Sequence, residues 1–157
     1  MSKKSLVLNA IGLVVIIVAV VVIIVVVHNN DKTKTLSQAQ QTAAKQQIDS
    51  NWKTFFAAST TMQKRENLLQ NGSNFTQLIE GEFQSLASEQ SSAVVGTVSF
   101  PNTTSANVKY TVDLNGQPVL TNQSGQALLI NNTWKVSDST LCNLVKLAGS
   151  TPAVCKS

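Results

Sequence analysis

Twenty-two consecutive residues, Leu6 to Val27, carry no charge and a single strongly polar side chain, Asn9. A helix rises about 1.5 Å per residue, so roughly 20 apolar residues cross the hydrocarbon core of a bilayer. The run is rich in Val and Ile, which disfavour a helix in water. In lipid every backbone amide has to be satisfied within the segment, and helix wins regardless. A cleaved leader has a shorter apolar core, about 7–15 residues, followed by small residues at the cut site. Here the run is followed by His28-Asn29-Asn30-Asp31-Lys32, with no such pattern. The expectation is therefore an uncleaved signal-anchor helix over residues 6–28, a cytoplasmic tail over residues 1–5, a polar stalk over residues 29–41, and an extracytoplasmic domain over residues 42–157.

Charge and cysteine usage bound what that domain can do. The chain has 12 basic and 8 acidic residues, a net charge of +4. Lys3, Lys4, Lys32, Lys34 and Asp31 flank the apolar run; without them eight basic residues stand against seven acidic ones. The basicity belongs to the membrane flanks, so a nucleic-acid partner is not expected. Lys3 and Lys4 before the run, against Lys32 and Lys34 partly offset by Asp31, lean toward an N-terminus inside the cell. Cys142 and Cys155 are the only cysteines. An isolated pair around a short loop reads as a disulfide formed in an oxidising compartment, the alternative being two buried free thiols. No further Cys or His lies nearby to complete a zinc site.

Periodicity orders the rest. Ile48, Trp52, Phe55 and Phe56 fall on one helical face from about Thr42 onward. Thr60 and Gln63 have capping-box spacing for a second helix, which carries Met62, Leu68 and Leu69 and stops near Asn71-Gly72. Ser73 or Asn74 caps a third, with a stripe of Phe75, Leu78, Ile79, Phe83 and Leu86. After Gln90 the period becomes two. Val94, Val98 and Phe100 alternate up to Pro101-Asn102; then Ala106, Val108, Tyr110, Val112 and Leu114 alternate with polar residues, the mark of an antiparallel sheet with one wet face. Asn115-Gly116 is a hairpin signal. A return strand follows over 117–121, a turn at 122–125, a strand at 127–130, a tight Asn131-Asn132 turn and a partner strand at 133–136. Asp138 is expected to cap a short helix, Leu141 to Leu147, stopped by Gly149. The expected fold class is α+β, helices packed on one face of about five short antiparallel strands.

Four stretches together resemble a known family: NWKTFFAAST at 51–60, RENLLQNGSNF at 65–75, the segment from ANVKYTVDL at 106 to CNLVKL at 147, and TPAVC at 151–155. In their order, the LLQNG helix end, the GQPVL hairpin, the Trp-Lys-Val strand and the paired terminal cysteines are similar to the C-terminal domain of the low-molecular-weight secreted antigens of mycobacteria and other actinobacteria. The likeness covers about Ile48 to Cys155. It implies an envelope or secreted domain with a curved, cone-like sheet of the cystatin or nuclear-transport-factor-2 class, and it transfers no catalytic residues. This chain departs from the pattern in its long apolar run and in lacking a lipobox cysteine.

The residues themselves offer little chemistry. His28, the only histidine, sits at the end of the apolar run, so no Ser-His-Asp or Cys-His set can form within the folded domain. Glu80 and Glu82 lie too close in a helix to share a face. Tyr110 and Asp113 have opposite parity on one strand and point apart. No enzyme activity, cofactor or metal is expected. Five Asn-x-Ser/Thr sequons read as chance in an Asn/Thr/Ser-rich chain. The leading expectation is a non-catalytic binding or interaction module at the outer face of the cell membrane, with envelope proteins as partners. The alternative is a carrier or sensor of a small apolar ligand in the cone. Trp52, Phe55, Phe56, Tyr110 and Trp134 either fill that cone as core or line its cavity.

Overall fold

The structure, a computed structural model, describes residues 35–85 and 89–156. The chain runs α1 (Gln38–Phe56), α2 (Met62–Leu68), a 3-10 turn (Gly72–Phe75), α3 (Thr76–Ser85), β1 (Ser91–Ser99), β2 (Ser105–Leu114), β3 (Gln117–Ile130), β4 (Thr133–Val136), α4 (Asp138–Leu147) and a last 3-10 turn (Ala153–Cys155). The four strands form one antiparallel sheet in sequence order, curled into a half-barrel. The α+β class is as expected. The expected membrane-spanning segment lies outside the described residues; among those described, no helix is long and apolar enough to cross a membrane.

Local chemistry explains the helix ends. Ser37 caps α1 in a capping box: its hydroxyl accepts from the Gln40 N–H at 3.3 Å, and the Gln40 side chain accepts from the Ser37 N–H at 2.9 Å. The helix therefore starts at Gln38, inside the stretch read as stalk. Ala44, Ile48, Trp52, Phe55 and Phe56 then form its buried stripe, at helical spacing. The cap of α2 is Thr61, one residue later than expected, accepting from the Lys64 N–H. Leu69 has left α2: it makes an isolated parallel bridge to Val136, and the Gln70 N–H donates to the Val136 carbonyl at 2.9 Å. Gly72 has no substitute, because a Cβ there would stand 2.0 Å from the Glu66 carbonyl oxygen. The third helix is preceded by the 3-10 turn rather than by a side-chain cap, and Leu86 lies outside the described residues.

The sheet departs from its sequence reading in two places, and both bend it. Between Val95 and Val98 β1 advances three residues while β2 advances two, from Tyr110 to Val108. This bulge switches the parity of the strand. Val95, Val98 and Phe100 consequently pack against the core, whereas Val94, expected beside them, is 52% exposed on the other face. The Asn122–Gly125 stretch is not a turn either. β3 is continuous through it, with Asn122 at φ 52°. Opposite Tyr110–Val112, β3 spends three residues, Gln123 to Leu120, against two, and it gains one more residue between Leu120 and Pro118. There are thus four strands instead of five, and the extra residues curl the long one. The Asn115-Gly116 and Asn131-Asn132 hairpins form as read, all four residues at positive φ, as primed two-residue turns require. Pro118, which has no N–H to give, lies on the part of β3 that β4 does not reach.

Candidate functional site

The concave face of the sheet is closed at one end by aromatic side chains. Trp52 and Phe55 are 0% exposed, and Phe56, Tyr110 and Trp134 are buried beside them. The rings meet edge to face: Trp52 with Tyr110 at 6.2 Å between centroids, Phe55 with Phe56 at 5.2 Å and with Phe83 at 5.6 Å. Phe100 closes on Trp134 at 5.6 Å. Such geometry places the positive ring edge over the negative face of its neighbour. All five are buried, while Phe56 borders one cavity and Trp134 another. Tyr110 carries the chemical mark of that interior: burial pushes its phenol up to about 12. The Trp52 indole N–H has no hydrogen-bond partner among the described residues, and the edge-on Tyr110 ring is its aromatic neighbour.

One charged side chain enters this region. Arg65 of α2 is buried and directs its fork at backbone carbonyls of the α1 end and the loop after it: Nε donates to Phe55 O at 3.0 Å, Nη2 to Ala57 O at 2.6 Å and Nη1 to Thr60 O at 2.5 Å. Its guanidinium lies 4.0 Å from the Phe83 ring centroid. Burial lowers its pKa from the ordinary value. The negative end of the α1 dipole and the orphan carbonyls of its last turn supply the compensation that a carboxylate usually would.

At the other end the sheet and α4 do not close completely. α4 is capped by Ser137, not by Asp138: the Ser137 hydroxyl accepts from the Thr140 N–H at 3.2 Å. Asp138 instead accepts from the Asn71 backbone N–H at 3.1 Å and from its side chain at 2.6 Å, tying α4 to the end of α2. α4 ends in a Schellman pair, Gly149 N–H to Lys146 O at 3.0 Å and Ser150 N–H to Val145 O at 3.1 Å, with Gly149 at φ +89°. Thr140 anchors the helix on β3, accepting from the Gln126 N–H at 2.8 Å. Gly125 permits the approach, since a Cβ there would meet Thr140 Cγ2 at 2.9 Å and Tyr110 Cε1 at 3.0 Å. The Cys142–Cys155 disulfide, with Cα atoms 5.5 Å apart, returns the tail to α4.

Between these elements lies a pocket of about 280 Å³. One wall is α4, where Leu141, Leu144, Val145 and Ala148 recur at the spacing of one helical face. The facing wall is the β2–β3 hairpin, through Val112, Leu114, Val119 and Leu120. Phe56 and Phe83 close it toward the aromatic core. Two polar residues border it, Ser91 and Glu82. The Ser91 hydroxyl donates to Phe56 O at 2.7 Å. Val119, 49% exposed, stands at the opening. The lining comes from six separate elements, so no local pattern in the sequence could have shown it. Asp113 and Tyr110 sit on opposite faces of β2, as parity requires. Among the described residues no three His, Cys, Asp or Glu come together to hold a metal ion.

The sequence model of the low molecular weight antigen MTB12 C-terminal domain matches residues 41–152, nearly the whole of the folded region. No curated protein matches the chain.

Proposed function

The chain belongs to the family of the low molecular weight antigen MTB12 C-terminal domain, and from that premise we propose that it is a non-catalytic binding module held at the outer face of the cell membrane by Leu6–Val27. The observation that carries the reading is the disulfide. Cys142 and Cys155 are bonded across a separation of 13 residues, and no free cysteine accompanies them. A bond of that kind persists where thiols are not kept reduced, on the far side of the membrane from the cytosol. The interior supports the non-catalytic part. Among its buried polar groups Arg65, Ser137 and Thr140 are engaged in capping and fastening helices, and Tyr110 is packed between rings.

The test is protease shaving of intact cells that produce the full chain, followed by mass analysis without reduction. The reading expects the domain to be released from outside with its two cysteines joined, while an N-terminal epitope stays with the membrane and inside. A domain protected until the cells are lysed, or recovered with free thiols, would sink it. A second reading, a carrier or sensor of a small apolar ligand, is favoured by the pocket between α4 and the β2–β3 hairpin. The ligand would lie beside the cone, because the aromatic side chains of the cone are buried.

A further inference from the structure

We propose that this pocket is a binding site for one unbranched alkyl chain of medium length, bearing a neutral or cationic head. The proposal rests on the second reading above and gives it a location and a chemistry. A volume of about 280 Å³ falls just below the usual range of small-molecule sites, about 300 to 1,000 Å³. That space holds a single chain and excludes a lipid with two. The shape agrees. The α4 stripe and the hairpin stripe are two aliphatic walls facing each other, with Phe56 and Phe83 as the stop. Branched or ring-shaped ligands match such a slot poorly; a flexible chain fills it.

The polar groups decide the head. Inside the slot the Ser91 hydroxyl has given its proton to the Phe56 carbonyl and has only lone pairs left to offer, which suit a donor head and not a carboxylate. The ionisable side chain of the lining is the Glu82 carboxylate. A fatty acid carboxylate brought beside it meets like charge, whereas an alcohol or an ammonium does not. Val119 and Ala148, both exposed, frame the opening, so larger side chains at these two positions block the slot without disturbing a buried residue. The aromatic core shares only Phe56 and Phe83 with this site. Occupancy is therefore not needed for the core to form, as expected of a site that loads and empties.

The experiment uses the full chain in phosphatidylcholine nanodiscs, with Leu and Val methyl groups labelled for NMR. The probes are 1-hexanol, 1-nonanol, 1-dodecanol, nonylamine and nonanoate. The expected result is saturable shifts at Leu120, Leu144 and Val145 that tighten from hexanol to nonanol and gain nothing further at dodecanol. Nonanoate binds about tenfold or more weakly than nonylamine, and Glu82→Gln narrows that gap. In the double variant Val119→Trp/Ala148→Phe, binding falls about tenfold or more, while Val94→Trp on the opposite face leaves it unchanged. Shifts that never saturate, or that persist in the double variant, reflect partitioning into the lipid and overturn the site; equal binding of nonanoate and nonylamine overturns the head assignment. Shaving of intact cells reports on tethering alone, so a failed pocket and a failed topology are told apart.

Discussion

Beneath α1 the concave face of the sheet is closed by rings, and beneath α4 by aliphatic side chains and a covalent staple. The first end needs no cross-link. Trp52, Phe55, Phe56 and Tyr110 are buried ring against ring, and the Arg65 fork holds the end of α1 behind them. The second end keeps a pocket of about 280 Å³ and relies on specific fastenings: the Thr140 hydroxyl on β3, the Asp138 carboxylate on Asn71, and the disulfide. Close packing holds an element everywhere along its length, while fastenings hold it at points and permit a void between them.

The sharpest way to break this contrast is to remove a ring. Phe55→Ala deletes a side chain with no exposure from a site hemmed by Phe56 and Phe83, and the expected loss is about 3–5 kcal/mol. Denaturant unfolding of the variant measures it. A loss near 1 kcal/mol would mean that the aromatic end can collapse, and the distinction between the two ends would fail.

Next in size is the staple. Replacing both cysteines by serine opens a loop with a separation of 13 residues, and the chain-entropy model puts the cost at about 3 kcal/mol. Where the loosening appears matters as much as its size. Amide exchange is expected to quicken in α4 and the tail, with α1 keeping its protection. Uniform quickening would show one cooperative unit instead of two differently held ends.

How much of this contrast was legible in the sequence follows from the physics of each part. The α1 stripe and the alternation of β2 were readable, because a period of 3.6 or of 2 survives as long as the backbone is regular. Both asparagine turns were readable, because few residues take positive φ readily. The bulges in β1 and β3 were not. An inserted residue looks like ordinary sequence, and its effect is to make the alternation lie, as it did at Val94. Arg65 was invisible for another reason: in sequence it is one more charged residue on a short helix, and its partners are carbonyls, which carry no letter. The five aromatics read equally as core or as cavity lining, because a helical or alternating stripe looks the same in both. The pocket needed side chains from six elements, which no local window contains.

Tyr110 supplies a smaller, pH-dependent probe of the packed end. Its phenol is raised from 10 to about 12 in the folded protein, so the folded state holds its proton where the unfolded chain releases it. The resulting stability is present in full below pH 10 and is lost as pH rises from 10 toward 12, a drop of about 2 kcal/mol. Thermal unfolding of the wild type and of Tyr110→Phe across that range isolates it, because phenylalanine has no proton to lose. Parallel curves would mean that water reaches the hydroxyl, contrary to a buried ring.

The smallest effect belongs to the pocket wall. Leu144 is half-buried and borders space that is already open, so Leu144→Ala enlarges a void instead of creating one. The atoms removed had few partners on that side, and the dispersion lost with them is correspondingly small. The expected cost is about 1–2 kcal/mol, below the usual range for a leucine truncated in a closed core. The comparison with Phe55→Ala cancels much of what is uncertain about the unfolded state, since both variants are measured in one chain against one reference. If Leu144→Ala instead cost as much as Phe55→Ala, the α4 side would be packed as tightly in solution as the α1 side. A slot for an alkyl chain could not then exist there without first being forced open.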